Sequence, residues 1–450
     1  MRRVELLLAC AVAAGCGQWQ RVGSDQGAEP SVTVAQVFDA ASVYRAMGLL
    51  VAGAPLPFVA SVRYLAGPAD STVALVALSL ANEGLRFRRA SNEFVAEYRA
   101  EIAFRPDSGP PRQVARDETV RVPTFQETLR ADESVIYQQY LTLPPGSYLL
   151  SIVVRDRHGP NLARQEQRVA VPSYVAGGLA SPVPYYEGSG RTVRTALPRL
   201  VANPRATLPF GAGDSLRLYV EAYGTGPGAA LAARILDATN TALWNDTVPL
   251  AGDSLLSSAT LLLGPDALPL GRAELELGLI GSDQVVRTPI LLSFSGQWVI
   301  ANYDAMVDVL RYFDQPDLVR QLRDAPQDQR AAAWRDFWKK TDPVPITPDN
   351  EALVEYFRRV QAANARYREG SLPGWLTDRG EVFITLGDPD EVVDMSSDLN
   401  RGGGGVIRWG YIDLRVTLYF EDQTGFGQWR LTPASRADYQ QVLARVRRAQ

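Results

Sequence analysis

The chain is poor in the residues that enzymes most often use for proton and group transfer. It has one histidine, His158, in the turn-like run Arg157-His158-Gly159-Pro160. A single histidine excludes any two-histidine metal site and means that a Ser-His-Asp triad would have to use His158. An exposed turn is its expected place. Lysine occurs only at Lys339 and Lys340, at the expected end of a helix, so Ser/Lys catalysis has little support. The two cysteines, Cys10 and Cys16, both fall within the first sixteen residues, and neither disulfides nor thiol chemistry are expected beyond them. There is no basic excess. Lys and Arg total 46 against 50 Asp and Glu, a net charge of −4, which leaves no stripe to neutralise a phosphate backbone and argues against nucleic acid as a partner. After the N-terminus no apolar run reaches the length of a membrane-spanning helix.

The remaining composition is ordinary. With 450 residues, 46% hydrophobic and 21% charged, the chain has room for two to four domains. The N-terminus stands apart. Met1-Arg2-Arg3 precedes an apolar run from Val4 to Ala14, broken only by Glu5, and then Gly15-Cys16. This is the order of a secretory signal, a basic start, a short apolar stretch and small residues. Ala13-Ala14-Gly15-Cys16 resembles the lipobox of bacterial lipoproteins, with Ala13 where those sequences more often have Leu or Val. The resemblance implies a signal peptide over residues 1–15 and lipidation of Cys16. The rival reading is a plain secretory signal cut elsewhere. More than one acyl chain is needed for durable anchoring. Gly17, rather than Asp, follows the cysteine, which by the same resemblance favours the outer membrane.

Periodicity then organises the chain. Residues 16–34 are polar and contain Gly23, Ser24 and Gly27, as a flexible tether would. Residues 38–50 have the spacing of a short helix. Period-two alternation follows, with Phe94, Ala96, Tyr98, Ala100, Ile102 and Phe104 on one face and mostly charged residues on the other. Val73 to Leu80 is nearly continuously apolar, as a central strand can be. Tyr148, Leu150, Ile152 and Val154 alternate after a Pro-Pro-Gly turn. These signals predict a β-sandwich over residues 35–172. Residues 173–210 are rich in Pro and Gly and read as a linker or an irregular edge, opening a second sandwich over residues 173–298. The Pro-Pro-Gly-Ser-Tyr phrase resembles immunoglobulin-like modules, in architecture only.

From residue 299 the period turns helical. Met306, Val309, Leu310 and Phe313 share a face, and Asp314 with Pro316 suits a helix start. Thr347-Pro348-Asp349 reads as another start, followed by the stripe Leu353, Phe357, Val360 and Tyr367, with Tyr356 at its margin. Asn364 lies within that stripe and needs a hydrogen-bond partner. Gly370 is positioned to end the helix. Val382, Ile384 and Leu386 predict a strand, and a meander through Trp409, Leu418 and Leu431 leads to a last helix capped at Thr432-Pro433. Residues 299–450 are thus expected to form an α+β domain. The fold class overall is two all-β immunoglobulin-like sandwiches followed by helices on a small antiparallel sheet.

Between the expected helix and strand stands Gly374-Trp375-Leu376-Thr377-Asp378, which spells G-W-x-T-D, followed by Arg379 and Gly380. Phe337-Trp338 and Asp342 to Glu351 precede it. Gly387 to Glu391, Trp409-Gly410-Tyr411 and Phe420-Glu421-Asp422 come after. These blocks resemble, in order and over roughly residues 334–431, the bacterial family named for that motif, the GWxTD domain proteins. The resemblance implies no particular reaction.

Trp375 is expected to fill the seam between helices and sheet, ahead of a role as an aromatic platform. Thr377 and Asp378 are expected to pin the loop through backbone N–H groups. Asn364 is expected to reach the same loop, which would make Asn364 and Asp378 two clamps on it. Asp378 and Arg379, with Arg358 or Arg359, are the elements of a possible charged cleft. Asp388, Asp390 and Glu391 form the densest acidic cluster. It lacks the alternation of a calcium loop, and turn chemistry is the preferred reading. The glycine run 402–405 lacks the ending of a phosphate loop. No cofactor, metal or catalytic residue is expected. The expected role is a non-catalytic, lipid-anchored envelope protein that docks a protein or envelope polymer through its GWxTD domain. The alternative is an envelope hydrolase using Asp378, Asp388 and Asp390 as acid and base.

Overall fold

The computed structural model describes residues 39–129, 135–210, 215–237, 239–265, 267–294, 303–347, 350–395 and 405–449. Cys16 and the tether lie outside them. The first described element is a short helix, α1 (Ala40–Ala46), capped by the Asp39 carboxylate, which accepts from Ser42 N–H.

Two antiparallel sheets follow and share one core. The first orders Leu50–Ala52, Phe58–Ala66, Thr72–Leu80 and Val135–Leu143. All nine residues of Thr72–Leu80 are buried, as the nearly continuous apolar run leads one to expect of a central strand. The second sheet is built on Glu93–Pro106, flanked by Gly146–Asp156 on one side and Arg112–Val122 on the other. The alternation read from the sequence is the alternation of burial. Ala100, Ile102 and Phe104 line up with Val154, Ile152 and Leu150 of the neighbouring strand, and together with Tyr98 they share a core with Leu78 of the first sheet. His158 lies in the expected turn but is not exposed. Its side chain is only 19% accessible, with Nε2 3.3 Å from Glu97 Oε2.

The Pro/Gly-rich stretch after residue 173 is an irregular edge and not a free linker. It contributes Val183–Ser189 and Arg199–Ala202 to one five-stranded sheet, together with Leu216–Ala222, Ser257–Leu263 and Ala251–Gly252. It contributes Thr207–Pro209 to another, where that segment runs parallel to Val285–Ser293. Leu218, Val220, Ile235, Leu275, Leu277 and Ile290 fill the space between these two sheets.

The two β regions meet across a buried ionic joint. Arg191 and Glu221 pair at 2.8 Å with side chains 1% and 0% accessible. Glu221 also accepts from the Tyr219 and Tyr223 hydroxyls, at 2.7 and 2.5 Å. From the preceding β region, Ala66 N–H donates to the Tyr223 hydroxyl at 2.8 Å, and Ala66 C=O accepts from Arg191 at 2.5 Å. Arg191 spends its remaining donors on the Arg194 and Ala196 carbonyls. Every strong group in the joint therefore has a partner, the condition under which buried charge is tolerable.

The C-terminal region is helical and then β. Helices α2 (Tyr303–Val309), α3 (Pro316–Asp324), α4 (Arg330–Thr341), α5 (Glu351–Arg366) and α6 (Asp378–Leu386) precede an antiparallel meander of Glu391–Asp394, Gly405–Tyr411, Val416–Asp422 and Arg430–Leu431. Helix α7 (Pro433–Ala449) closes the chain. Its core is continuous with the second β region. Phe210 and Phe294 meet the indole of Trp334 at centroid distances of 6.3 and 4.9 Å.

Several local expectations are corrected here. Val382, Ile384 and Leu386 lie on α6 and not on a strand. Val382, Phe383 and Ile384 are buried consecutively, and a run of four apolar residues and one threonine is short enough to fit either period. Helix α5 starts one residue after Asn350, whose side chain accepts from Leu353 N–H at 3.0 Å, so Thr347 is not its cap. The helix ends at Arg366, and Gly370 (φ +59) turns the chain beyond it. Tyr356 is buried, not marginal. Pro316 does open α3, but its N-cap is Gln315 without a side-chain bond, not Asp314. Among the described residues no helix is long and apolar enough to cross a membrane.

Candidate functional site

The G-W-x-T-D residues form a close-packed joint between α5 and α6. Gly374–Leu376 makes one 3-10 turn, and Thr377 then caps α6. The Thr377 hydroxyl accepts from Gly380 N–H at 3.0 Å and donates to Gly374 C=O at 2.8 Å. The backbones approach so closely that a Cβ on Gly380 would lie 1.9 Å from the Gly374 oxygen, and one on Gly374 would lie 2.2 Å from the Ala363 oxygen. Both glycines are thus required by contact with neighbouring main chain.

Trp375 is 1% exposed. Its ring meets Tyr312 edge-on at 6.4 Å, and the Arg311 guanidinium lies 5.0 Å from its centroid. The ring is buried, and these contacts lie on the helical side. The alternative role, an aromatic platform, needs an exposed ring face and is not favoured at 1% exposure. Asn364 holds the joint as anticipated, its Oδ1 accepting from Gly374 N–H at 3.2 Å. Replacing the amide leaves that N–H without its acceptor. Asn364→Leu is therefore expected to lower stability by about 1 kcal/mol. A denaturant midpoint equal to wild type or higher would contradict this.

Asp378 does not clamp its own loop. Its Oδ2 accepts from Leu431 N–H at 2.7 Å and lies 2.6 Å from Arg436, so it ties α6 to the last strand and to α7. Arg436 continues to Glu381 at 3.1 Å. Arg379 pairs at 3.1 Å with Glu369, whose side chain is 1% accessible and which also meets Arg430 at 3.3 Å. Burial pushes the Glu369 carboxyl above its ordinary range and the Arg379 guanidinium below its own, each toward its neutral form. The Arg379 plane lies against Tyr367 and Trp429. Glu369 and Arg436 were not singled out from sequence, because their partners are distant along the chain.

The other acidic candidates do not converge. Asp388 pairs with Arg366 at 2.8 Å, Asp390 accepts from Ile412 N–H at 2.7 Å, and Glu391 pairs with Arg408 at 2.9 Å. Arg358 and Arg359 both bond Glu355 and leave Asp378 alone, so the charged cleft expected from them does not form. Hydrogen bonds from Arg358, and then from Arg359, outweigh burial and hold the Glu355 carboxyl at about 2 against an ordinary 4.5. A lowered carboxyl stabilises the fold above its unfolded value and loses that contribution as pH falls. The pairs are exposed and screened, so Glu355→Gln is expected to cost about 0.5–1 kcal/mol at neutral pH. The gap should close as pH drops from about 4.5 toward about 2. Urea midpoints across that range would check it; a gap independent of pH would refute it.

Two features remain presented to solvent. One is a cleft of about 220 Å³ among Tyr312, Phe313, Asp314, Glu355, Ile384 and Leu443, with Arg447 also on its lining. Burial raises the Asp314 carboxyl, opposed by its own backbone N–H and by Arg447. The other is the hairpin tip after Asp422. The Asp422 carboxylate accepts N–H bonds from Thr424, Gly425 and Gly427 at 3.2, 3.0 and 2.6 Å, and the Thr424 hydroxyl at 2.9 Å. Thr424 in turn accepts from Phe426 N–H at 3.3 Å. Although burial opposes it, these loop donors hold the Asp422 carboxyl below its ordinary range. Gly425 and Gly427 take φ of +73 and +75, and between them Phe426 is 85% exposed.

The fold and this joint define a β-rich protein of several sheets that ends in a helical region carrying a G-W-x-T-D turn. The family model of the GWxTD domain matches residues 291–400, and the chain carries a GWxTD domain. No curated protein matches the chain. A solved structure from Parabacteroides distasonis ATCC 8503, provisionally described as a secreted protein, is 10% identical, covering 60% of this chain and 92% of its own, with a TM-score of 0.13. A similarity that slight has no bearing on the fold.

Proposed function

We propose that the chain is a non-catalytic protein of the bacterial envelope, held outside the cytoplasm by lipid on Cys16, whose GWxTD domain docks a protein partner or an envelope polymer. In this reading residues 1–15 are the signal, 16–34 the tether, and 35–172 and 173–298 are immunoglobulin-like modules that hold residues 299–450 away from the membrane, most plainly the outer one. The N-terminal pattern supports the anchor. The commitment of the motif residues to internal packing and pairing supports the non-catalytic part of the reading.

The observation that carries the reading is the Phe426 tip. Exposing a large aromatic has no benefit to folding, and here the loop beneath it is fixed by bonds to Asp422 and Thr424. Aromatic side chains dominate binding hot spots, and a loop already ordered loses less entropy when it binds. Phe426→Ala is expected to reduce the yield of material crosslinked to the protein in intact envelopes at least fivefold, with an unchanged melting temperature. An unchanged yield would defeat the reading. Trp375→Ala and Asp378→Ala do not serve this purpose, since both positions hold the fold.

A further inference from the structure

The helical cleft at Asp314 offers a more specific recognition chemistry. We propose that it receives one basic side chain, lysine or arginine, of a protein partner, with Asp314 as the counter-charge. The inference rests on the docking reading above and names the chemistry of one contact within it.

Three observations support it. The cleft holds about 220 Å³, less than the roughly 300–1,000 Å³ of a drug-sized ligand site and on the scale of a single long side chain. Its walls include Phe313, Ile384 and Leu443, apolar surface of the kind on which the methylene stem of a lysine or arginine packs while its head stays polar. Asp314 is half-buried and has no ion-pair partner among the described residues, whereas Glu355 is already committed to Arg358 and Arg359.

The groups facing Asp314 from the surrounding elements are Tyr312, Glu355 and Arg359, Thr385 and Arg447. Arg359 is bound to Glu355 and to the Ile384 carbonyl, and Arg447 is exposed near the end of α7. An apolar side chain entering the cleft would strip water from Asp314 without replacing it. An acidic one would bring a further negative charge to the half-buried Asp314, with only the exposed Arg447 on the lining to offset it. Both penalties select against those occupants.

The test uses the full chain in detergent micelles and three probes, acetyl-Gly-Lys-Gly-amide and its norleucine and glutamate counterparts. Saturation-transfer NMR reads their binding. The lysine peptide is expected to bind at least tenfold tighter than the norleucine peptide, which keeps the stem without the charge. Asp314→Asn should abolish that difference. Asp317→Asn, on the exposed face of α3 and paired with Arg320, should leave it intact. Equal binding of lysine and norleucine, tighter binding of glutamate, no binding of any probe, or an Asp314→Asn variant that still prefers lysine would each overturn the proposal. The peptide comparison in wild type stands even if the variant misfolds. None of these outcomes touches the Phe426 experiment, so the docking reading and this contact can fail separately.

Discussion

Arg191→Ala is expected to destabilise the protein by about 3–5 kcal/mol, the usual cost of leaving one member of a buried ion pair without its partner. Glu221 would keep its two tyrosine hydroxyls but lose the guanidinium paired with it, at a position with 0% accessibility. The Ala66, Arg194 and Ala196 carbonyls would lose their donor as well. Because Ala66 belongs to the preceding β region, the loss should fall on the junction. Guanidinium unfolding should show a lower midpoint and hydrogen exchange should rise first around residues 64–66 and 219–223. The double variant Arg191→Met with Glu221→Gln should cost clearly less than the sum of the singles, since the stranded charge is gone. Additive losses would mean that the pair is not coupled as the geometry implies.

Trp375→Ala is expected to cost about 3–5 kcal/mol, the range for deleting a buried aromatic and leaving a cavity. The ring is 1% exposed and packs on Tyr312 and Arg311, which precede it by more than sixty residues, so its loss should loosen α5 and α6 from the first helical segment together. Trp375→Phe should recover part of the loss. Near-native stability of the alanine variant, measured by calorimetry, would contradict the packing role.

Much of the β architecture was legible because half-buried strands advertise themselves by alternation. Phe94 to Phe104 and Tyr148 to Val154 did so over enough residues to leave one period only. Val382 to Leu386 did not. The segment is five residues long and rich in Val, Ile and Thr, so propensity pointed to a strand while the Thr377 cap and the helix it starts decided otherwise. A hydroxyl followed directly by Asp378 is the available helix-start signal, and the same two residue types equally suit a pinned loop. Asn364 was legible because an amide on an apolar stripe demands a partner. Glu369 and the Arg191–Glu221 pair were not, since charged residues look alike in sequence until the fold shows which are buried. Phe426 had a signal, Asp422 followed by Thr424, Gly425 and Gly427, whose turn chemistry fixes a tip; the exposure of the ring was the part no pattern could supply.

The aromatic cluster of Phe210, Phe294 and Trp334 has a practical consequence for dissecting the chain. A truncation beginning near residue 299 would sever Trp334 from Phe210 and Phe294, uncovering an indole that is 0% accessible in the intact protein. Such a fragment would bring a sticky apolar wall into water and self-associate, so the smallest autonomous piece containing the motif should keep the β sheets that precede it.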